Sequence, residues 1–190
     1  MKVIGGTARG RKLIVPKGLT VRPTAARVKE SLFNILPHDF SGLRVLDLYA
    51  GSGNVSIEAL SRGAVEAVLV DESARSAAVI RANLTRLELL QRAQVWIVPV
   101  ARALRKLDKA GEKFDLIFLD PPYERGLVQT TLEGIGQCAL LNPAAIVVVE
   151  HSGREAVRRE YGGLILNDQR RYGDTLLSFF DKSQAMNTTA

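Results

Sequence analysis

The chain has 190 residues, 46% hydrophobic and 24% charged, which is apolar enough for one packed domain and excludes global disorder. No apolar run approaches the roughly 20 residues that cross a bilayer, and Met1–Gly6 lacks the apolar stretch of a secretory signal. Cys138 is the single cysteine, so an internal disulfide and a cysteine-based zinc site are excluded, and a cytoplasmic, metal-free protein is expected. The net charge of +6 is unevenly spread: residues 1–31 hold eight Lys or Arg against Glu30, a net +7, which leaves about −1 for the rest. A localised basic patch is the footprint of phosphate binding, and a solvated basic arm fits the same composition.

In chain order, residues 2–6 and 12–15 read as short strands around the TARGR connection, a hairpin. Pro16, Gly18 and Pro23 punctuate the next stretch, and Thr24 is placed to cap a helix whose Val28, Leu32 and Leu36 share one face before Pro37 ends it. An alternation then begins. Strands are expected at Leu43–Leu48, Glu66–Asp71, 94–98, Phe114–Leu119 and Ala144–Glu150. Helices are expected between them at 54–62, 73–86, 100–109 and 126–140, with a short one at 154–159. Leu164–Asn167 and Thr175–Phe180 read as a final hairpin through RRYGD, and the tail from residue 183 as disordered. Strands alternating with helices demand a mostly parallel sheet covered on both faces, with ligands beyond the carboxyl ends of its strands. Asp47, Asp71 and Asp120 all sit at or beside those ends.

Three clusters carry chemistry. In Asp47-Leu48-Tyr49-Ala50-Gly51-Ser52-Gly53, the two glycines allow a sharp turn and close approach of a ligand to the backbone. Ser56 stands where a dinucleotide fingerprint needs a third glycine, which argues against a nicotinamide enzyme, and the acid before the turn suits a ligand with a cationic amino-acid end. A GxG after a strand is equally compatible with a purely structural turn. Asp71-Glu72, about 20 residues on, offers a carboxylate for the two hydroxyls of a ribose, or else a cap for the helix beginning near Ser73. In Asp120-Pro121-Pro122-Tyr123, two prolines stiffen a strand end and remove two donors. A carboxylate and a carbonyl held side by side there match the N–H donors of an exocyclic amine, and Tyr123 adds a face for base stacking. His38, His151, Trp96 and Cys138 are expected to be structural, the last two in the core.

These residues, in this order, resemble the class I S-adenosylmethionine methyltransferases with a (D/N/S)PP(Y/F) motif. IGGTARGRKL…RPTAARVKESLFNIL, LDLYAGSGNVSIEALSRGA, LDPPY and RRYGDT are similar, more closely, to the RsmD family of bacterial 16S rRNA guanine-N2 methyltransferases, over essentially the whole chain. The resemblance implies a Rossmann-like α/β fold: a mostly parallel seven-stranded sheet with an antiparallel last strand and a small N-terminal β-hairpin extension (1–22) before the methyltransferase domain (23–182). It implies that Asp47, Tyr49, Ala50, Gly51, Gly53, Asp71 and Glu72 hold S-adenosylmethionine and that Asp120, Pro121, Pro122 and Tyr123 form the amine site. It further implies that Arg9, Arg11, Lys12, Arg22, Thr24 and Arg27 grip 16S rRNA, within a partly assembled or complete small ribosomal subunit. One departure concerns the adenine pocket: Arg102-Ala103-Leu104-Arg105-Lys106-Leu107 stands where relatives place an acid. Adenine-N6 or protein-glutamine methylation, with Asn more often at the Asp120 position, and a non-catalytic RNA-binding assembly factor are the competing expectations.

Overall fold

The apolar strands assemble as a sheet because each one needs cover on both faces. In a computed structural model of the protein, which describes residues 1–15 and 23–182, five strands run parallel. They are β1 (Arg44–Leu48), β2 (Glu66–Asp71), β3 (Ala93–Ile97), β4 (Phe114–Leu119) and β5 (Leu141–Ser152). Then β6 (Glu160–Tyr161), β7 (Leu164–Tyr172) and β8 (Thr175–Lys182) add antiparallel pairs, giving the order β3-β2-β1-β4-β5-β8-β7-β6. Side chains alternate across the sheet. Val45, Ala67, Leu69, Leu116 and Phe118 face α1 (Pro23–Ile35), α2 (Asn54–Ser61) and α3 (Ala74–Arg86). Leu46, Leu48, Val68, Ile117 and Leu119 face α4 (Val100–Lys109) and α5 (Leu127–Gly136). Each such side chain taken out of water contributes about 1.5–3 kcal/mol. The helices supply matching stripes, as in α3, where Ala77, Ile80 and Leu84 are buried and Ser73 caps the first turn by accepting from the Ser76 N–H.

The expected seven strands are eight. The 154–159 helix does not form: residues there run irregularly and lead into β6, which pairs with β7 and closes the sheet edge. The helix expected at 126–140 stops at Gly136, where a Cβ would strike the Tyr161 carbonyl at 2.1 Å. Helix α1 begins at Pro23, so Thr24 lies inside its first turn and does not cap it. Trp96, its indole N–H on Gln94 and its ring under the Lys106 ammonium, and Cys138 are both half-buried and pack against the edge of the core, not within it. Among the described residues no helix is long and apolar enough to cross a membrane.

The N-terminal segment turns back on itself as expected, but the hairpin reduces to one bridge, Lys2 to Lys12. Val3, Gly10 and Leu13 N–H bond across the turn to the Arg11, Val3 and Met1 carbonyls, and other backbone donors reach α2. Ile4 and Gly5 N–H donate to the two Glu58 carboxylate oxygens at 2.9 and 2.7 Å, and Ala8 N–H to Ser61 Oγ at 2.9 Å. Val3, Ala8 and Leu13 enter the core of the α1–α2–α3 layer. The segment is therefore docked, and no solvated arm exists over residues 1–15. Lys29, one of the eight basic residues counted in the patch, is buried: its Nζ meets Glu58 Oε2 at 2.9 Å and donates to the Lys2 carbonyl and Asn54 Oδ1. Burial pulls its pKa down despite Glu58. Position 22 and the tail 183–190 lie outside the described residues, as does the Thr24 side chain.

Candidate active site

The sheet order reverses between β1 and β4, and beyond the strand ends there a cavity of about 1580 Å³ opens. Its first wall is the β1–α2 turn, which needs three left-handed residues: Tyr49 (φ 65°), Gly51 (φ 57°) and Gly53 (φ 75°). For Tyr49 that conformation stores on the order of 1–3 kcal/mol. Its hydroxyl bonds Thr131 Oγ1 at 2.8 Å and its side chain borders the cavity. Gly51 borders the cavity too, whereas Gly53 turns away: a Cβ there would sit 3.1 Å from Leu69 Cδ2. Ala50 is nearly buried, its N–H on the Val70 carbonyl. The turn's shape thus rests on Ala50 and Gly53, and its open face on Tyr49, Gly51 and Ser52.

Asp71 ties the turn to β2. Its Oδ2 accepts from Gly51 N–H at 2.9 Å and its Oδ1 from Ser73 N–H at 2.8 Å. One donor per oxygen leaves further lone pairs toward the cavity, where Glu72 also stands. Asp47 is 2% exposed and does not border the cavity. Ser56, the residue that replaces the third glycine, donates to its Oδ2 through N–H (3.3 Å) and Oγ (2.9 Å). Burial outweighs those bonds and, with the Asp120 and Asp71 charges nearby, pushes the Asp47 carboxyl up to about 7.

The second wall is the chain after β4. Asp120 is open to solvent through the cavity, and among the described residues no donor reaches its carboxylate. Protein nonetheless surrounds it, and that burial, followed by the Glu150 charge, raises its carboxyl well above the usual range. Pro121 is buried, Pro122 exposed, and both border the cavity with Tyr123. The Tyr123 hydroxyl donates to Glu150 Oε1 at 3.4 Å and lies 3.5 Å from Thr175 Oγ1. Burial, then the two carboxylates, push it up to about 12, so it stays a neutral donor. Glu150 is a functional candidate that the motifs along the chain do not mark. The pairing of Leu119 with Val149 sets it beside Asp120, and burial pushes it up to about 7 against the Tyr123 bond. One signal in the sequence does point to it: an acid ending an apolar strand, as at Asp71 and Asp120.

The N-terminal segment reaches this cavity, which Met1 and Val15 border. Asn83, 1% exposed on α3, bonds both Ile14 N–H and Ile14 carbonyl and also the Ser52 carbonyl of the glycine turn. Arg9, Arg11, Lys12 and Arg27 are exposed. Arg11 donates to the Arg86 carbonyl and Arg86 to the Lys12 carbonyl. Arg105 and Leu104 line the cavity in the stretch where an acid is missing, next to Pro99, Val100 and Ala101. His151 is buried between the Ser152 carbonyl and Ser178 Oγ, and His38 is exposed. Among the described residues no cluster of three His, Cys, Asp or Glu is placed to hold a metal.

A sheet in this order, with a glycine turn after β1 and acids closing β2 and β4, defines the class I methyltransferase fold. A solved structure from Escherichia coli, yhhF, shares it with a TM-score of 0.82 and 30% identity, over 96% of this chain and 98% of that one. The chain belongs to the family described as Conserved hypothetical protein 95, which matches residues 1–181. It is 36% identical over 150 residues to ribosomal RNA small subunit methyltransferase D of Escherichia coli, covering 79% of this chain and 74% of that protein. It is 37% identical over 182 residues to YlbH of Bacillus subtilis, provisionally named an rRNA methyltransferase, covering 96% and 99% of the two chains. The resemblance to the RsmD family is thereby established.

Proposed function

We propose that the chain is an S-adenosylmethionine-dependent methyltransferase that methylates the exocyclic N2 amine of a guanine in 16S rRNA, presented in a small ribosomal subunit. The observation that carries this is the Asp120 carboxylate, which has no donor among the described residues, sits at a rigid Pro-Pro strand end and opens with Tyr123 onto a cavity large enough for two ligands. Water can satisfy this carboxylate while the cavity is empty, and a substrate that brings N–H groups can take the place of that water. Guanine presents N1–H and N2–H side by side. Adenine sets a lone pair beside its amine, which an acceptor opposes.

The residues present fit the cofactor. Gly51 permits close approach, the spare Asp71 lone pairs suit ribose hydroxyls, and the Tyr49 side chain closes the pocket. The cofactor supplies an electrophilic methyl group on a sulfonium. The chain's own residues do the positioning, which is the main rate term for such a displacement. Flipping the base costs a few kcal/mol. Stacking on Tyr123 returns about 1–3 kcal/mol. Asp120 orients the amine, and Arg9, Arg11, Lys12 and Arg27 supply the phosphate grip, with Arg22 and Thr24 as further candidates from the sequence. Incubation with methyl-labelled cofactor and small subunits from a strain lacking the gene, followed by nucleoside analysis, should yield N2-methylguanosine. Label in N6-methyladenosine, or none, would overturn the reading.

A further inference from the structure

Glu150 lies outside the motifs that define the site, yet its position is hard to reconcile with a structural role alone. It ends the apolar run of β5 next to Asp120, borders the cavity, and receives a single long bond from Tyr123. The groups facing it are Asp120 and Tyr123 from the chain after β4, and Thr175 from β8, whose Leu177 pairs with it across the ladder. Asp47 of β1 faces Asp120 from behind. Among the described residues no Lys, Arg or His bonds either carboxylate, although Arg105 and Arg125 border the same cavity. Two neighbouring carboxyl groups resist ionising together and can share a proton. An apolar residue would fill the same space at far lower cost.

We propose that Glu150 forms a proton-accepting pair with Asp120, which takes up the proton that the target amine releases on methylation, with Tyr123 holding Glu150 in register. The step balances. The amine lone pair forms the N–C bond as the C–S bond breaks, its electrons staying on sulfur to leave a neutral thioether. The nitrogen, now cationic, sheds one proton to the pair, which passes from one shared proton to two and later returns one to solvent through the cavity. Both pKa directions agree with a pair that holds one proton near neutrality.

The inference rests on the amine-methylating reading, so its test includes a measurement made without substrate. In the free full-length protein at neutral pH, infrared spectroscopy should show a protonated carboxyl C=O band that weakens in Glu150→Gln and in Asp120→Asn. In single turnover on small subunits, Glu150→Gln should slow methyl transfer by about 10²-fold with cofactor affinity unchanged, whereas Glu150→Asp should recover part of the rate. The acid limb of the pH–rate profile should also move to higher pH in Glu150→Gln, because Asp120 loses the neighbour that stabilises its singly protonated pair. A Glu150→Gln protein with wild-type rate and pH profile overturns the proposal, as does an infrared band that neither Glu150→Gln nor Asp120→Asn changes. An absent methylation activity with the infrared band intact would sink the substrate reading and leave the carboxyl pair standing.

Discussion

The two walls of the cavity use carboxylates in opposite ways. On the β1–β2 side, Asp71 and Asp47 are already bonded by the protein: Gly51 and Ser73 N–H to one, Ser56 N–H and Oγ to the other. Those bonds fix a turn that contains a strained Tyr49, and the ligand meets a finished surface. On the β4–β5 side, Asp120 has no donor among the described residues and Glu150 has one at 3.4 Å. Acceptors satisfied in advance make a preorganised binding surface. Acceptors left open are satisfied by the substrate, and their proton affinity becomes available to the reaction.

That contrast can be broken from either side. The largest effect is expected at Asp120: its replacement by Ala should cut single-turnover methyl transfer by about 10²–10⁴ while calorimetric cofactor affinity stays near wild type. Equal damage to cofactor binding would erase the division between the walls. Next, Asp71→Ala should weaken cofactor binding by about 1–3 kcal/mol, since ribose hydroxyls and Gly51 N–H both lose their acceptor. An unaltered affinity would remove Asp71 from the ligand.

The Asp47 carboxyl sharpens the comparison through pH. Its native pKa of about 7 lies above the ordinary value near 4, so the folded state holds the proton more tightly than the unfolded one. Its contribution favours folding below pH ~4, is lost as pH rises toward 7, and is constant above. Asp47→Asn, which keeps an acceptor for Ser56, should flatten that decline in urea denaturation series, leaving the part due to Asp120 and Glu150. A decline of unchanged size would place the proton elsewhere.

The smallest effects concern the N-terminal segment. Replacing Arg9, Arg11 and Lys12 together should flatten the slope of log RNA affinity against log salt by roughly 2–3. Cofactor affinity should hold, because those side chains point to solvent while Asn83 holds the backbone to the glycine turn. An unaltered slope with full activity would move the phosphate grip to Arg170 and Arg171 on the β7–β8 hairpin.

Much of the molecule is decided locally and can be read along the chain. Glycines at Gly51 and Gly53, the Pro121-Pro122 pair and the acid closing each apolar strand act through their own backbone torsions, so DLYAGSG, DE and DPPY announce a tight turn, an acid at a strand end and a stiffened strand end in order. The alternation of strands and helices likewise follows from periodicities of 2 and 3.6 residues. What the sequence could not decide is which distant groups meet. Lys29 reads as one more surface charge until α1 and α2 pack and give it Glu58. Asn83 reads as a helix-surface residue, and only docking of residues 1–15 makes it the tie between Ile14 and Ser52. Glu150 gains its meaning from the β4–β5 register alone, 30 positions after Asp120 in the chain and beside it in the sheet. Burial and proximity belong to the assembled sheet, and they raise the proton affinity of Asp47, Asp120 and Glu150.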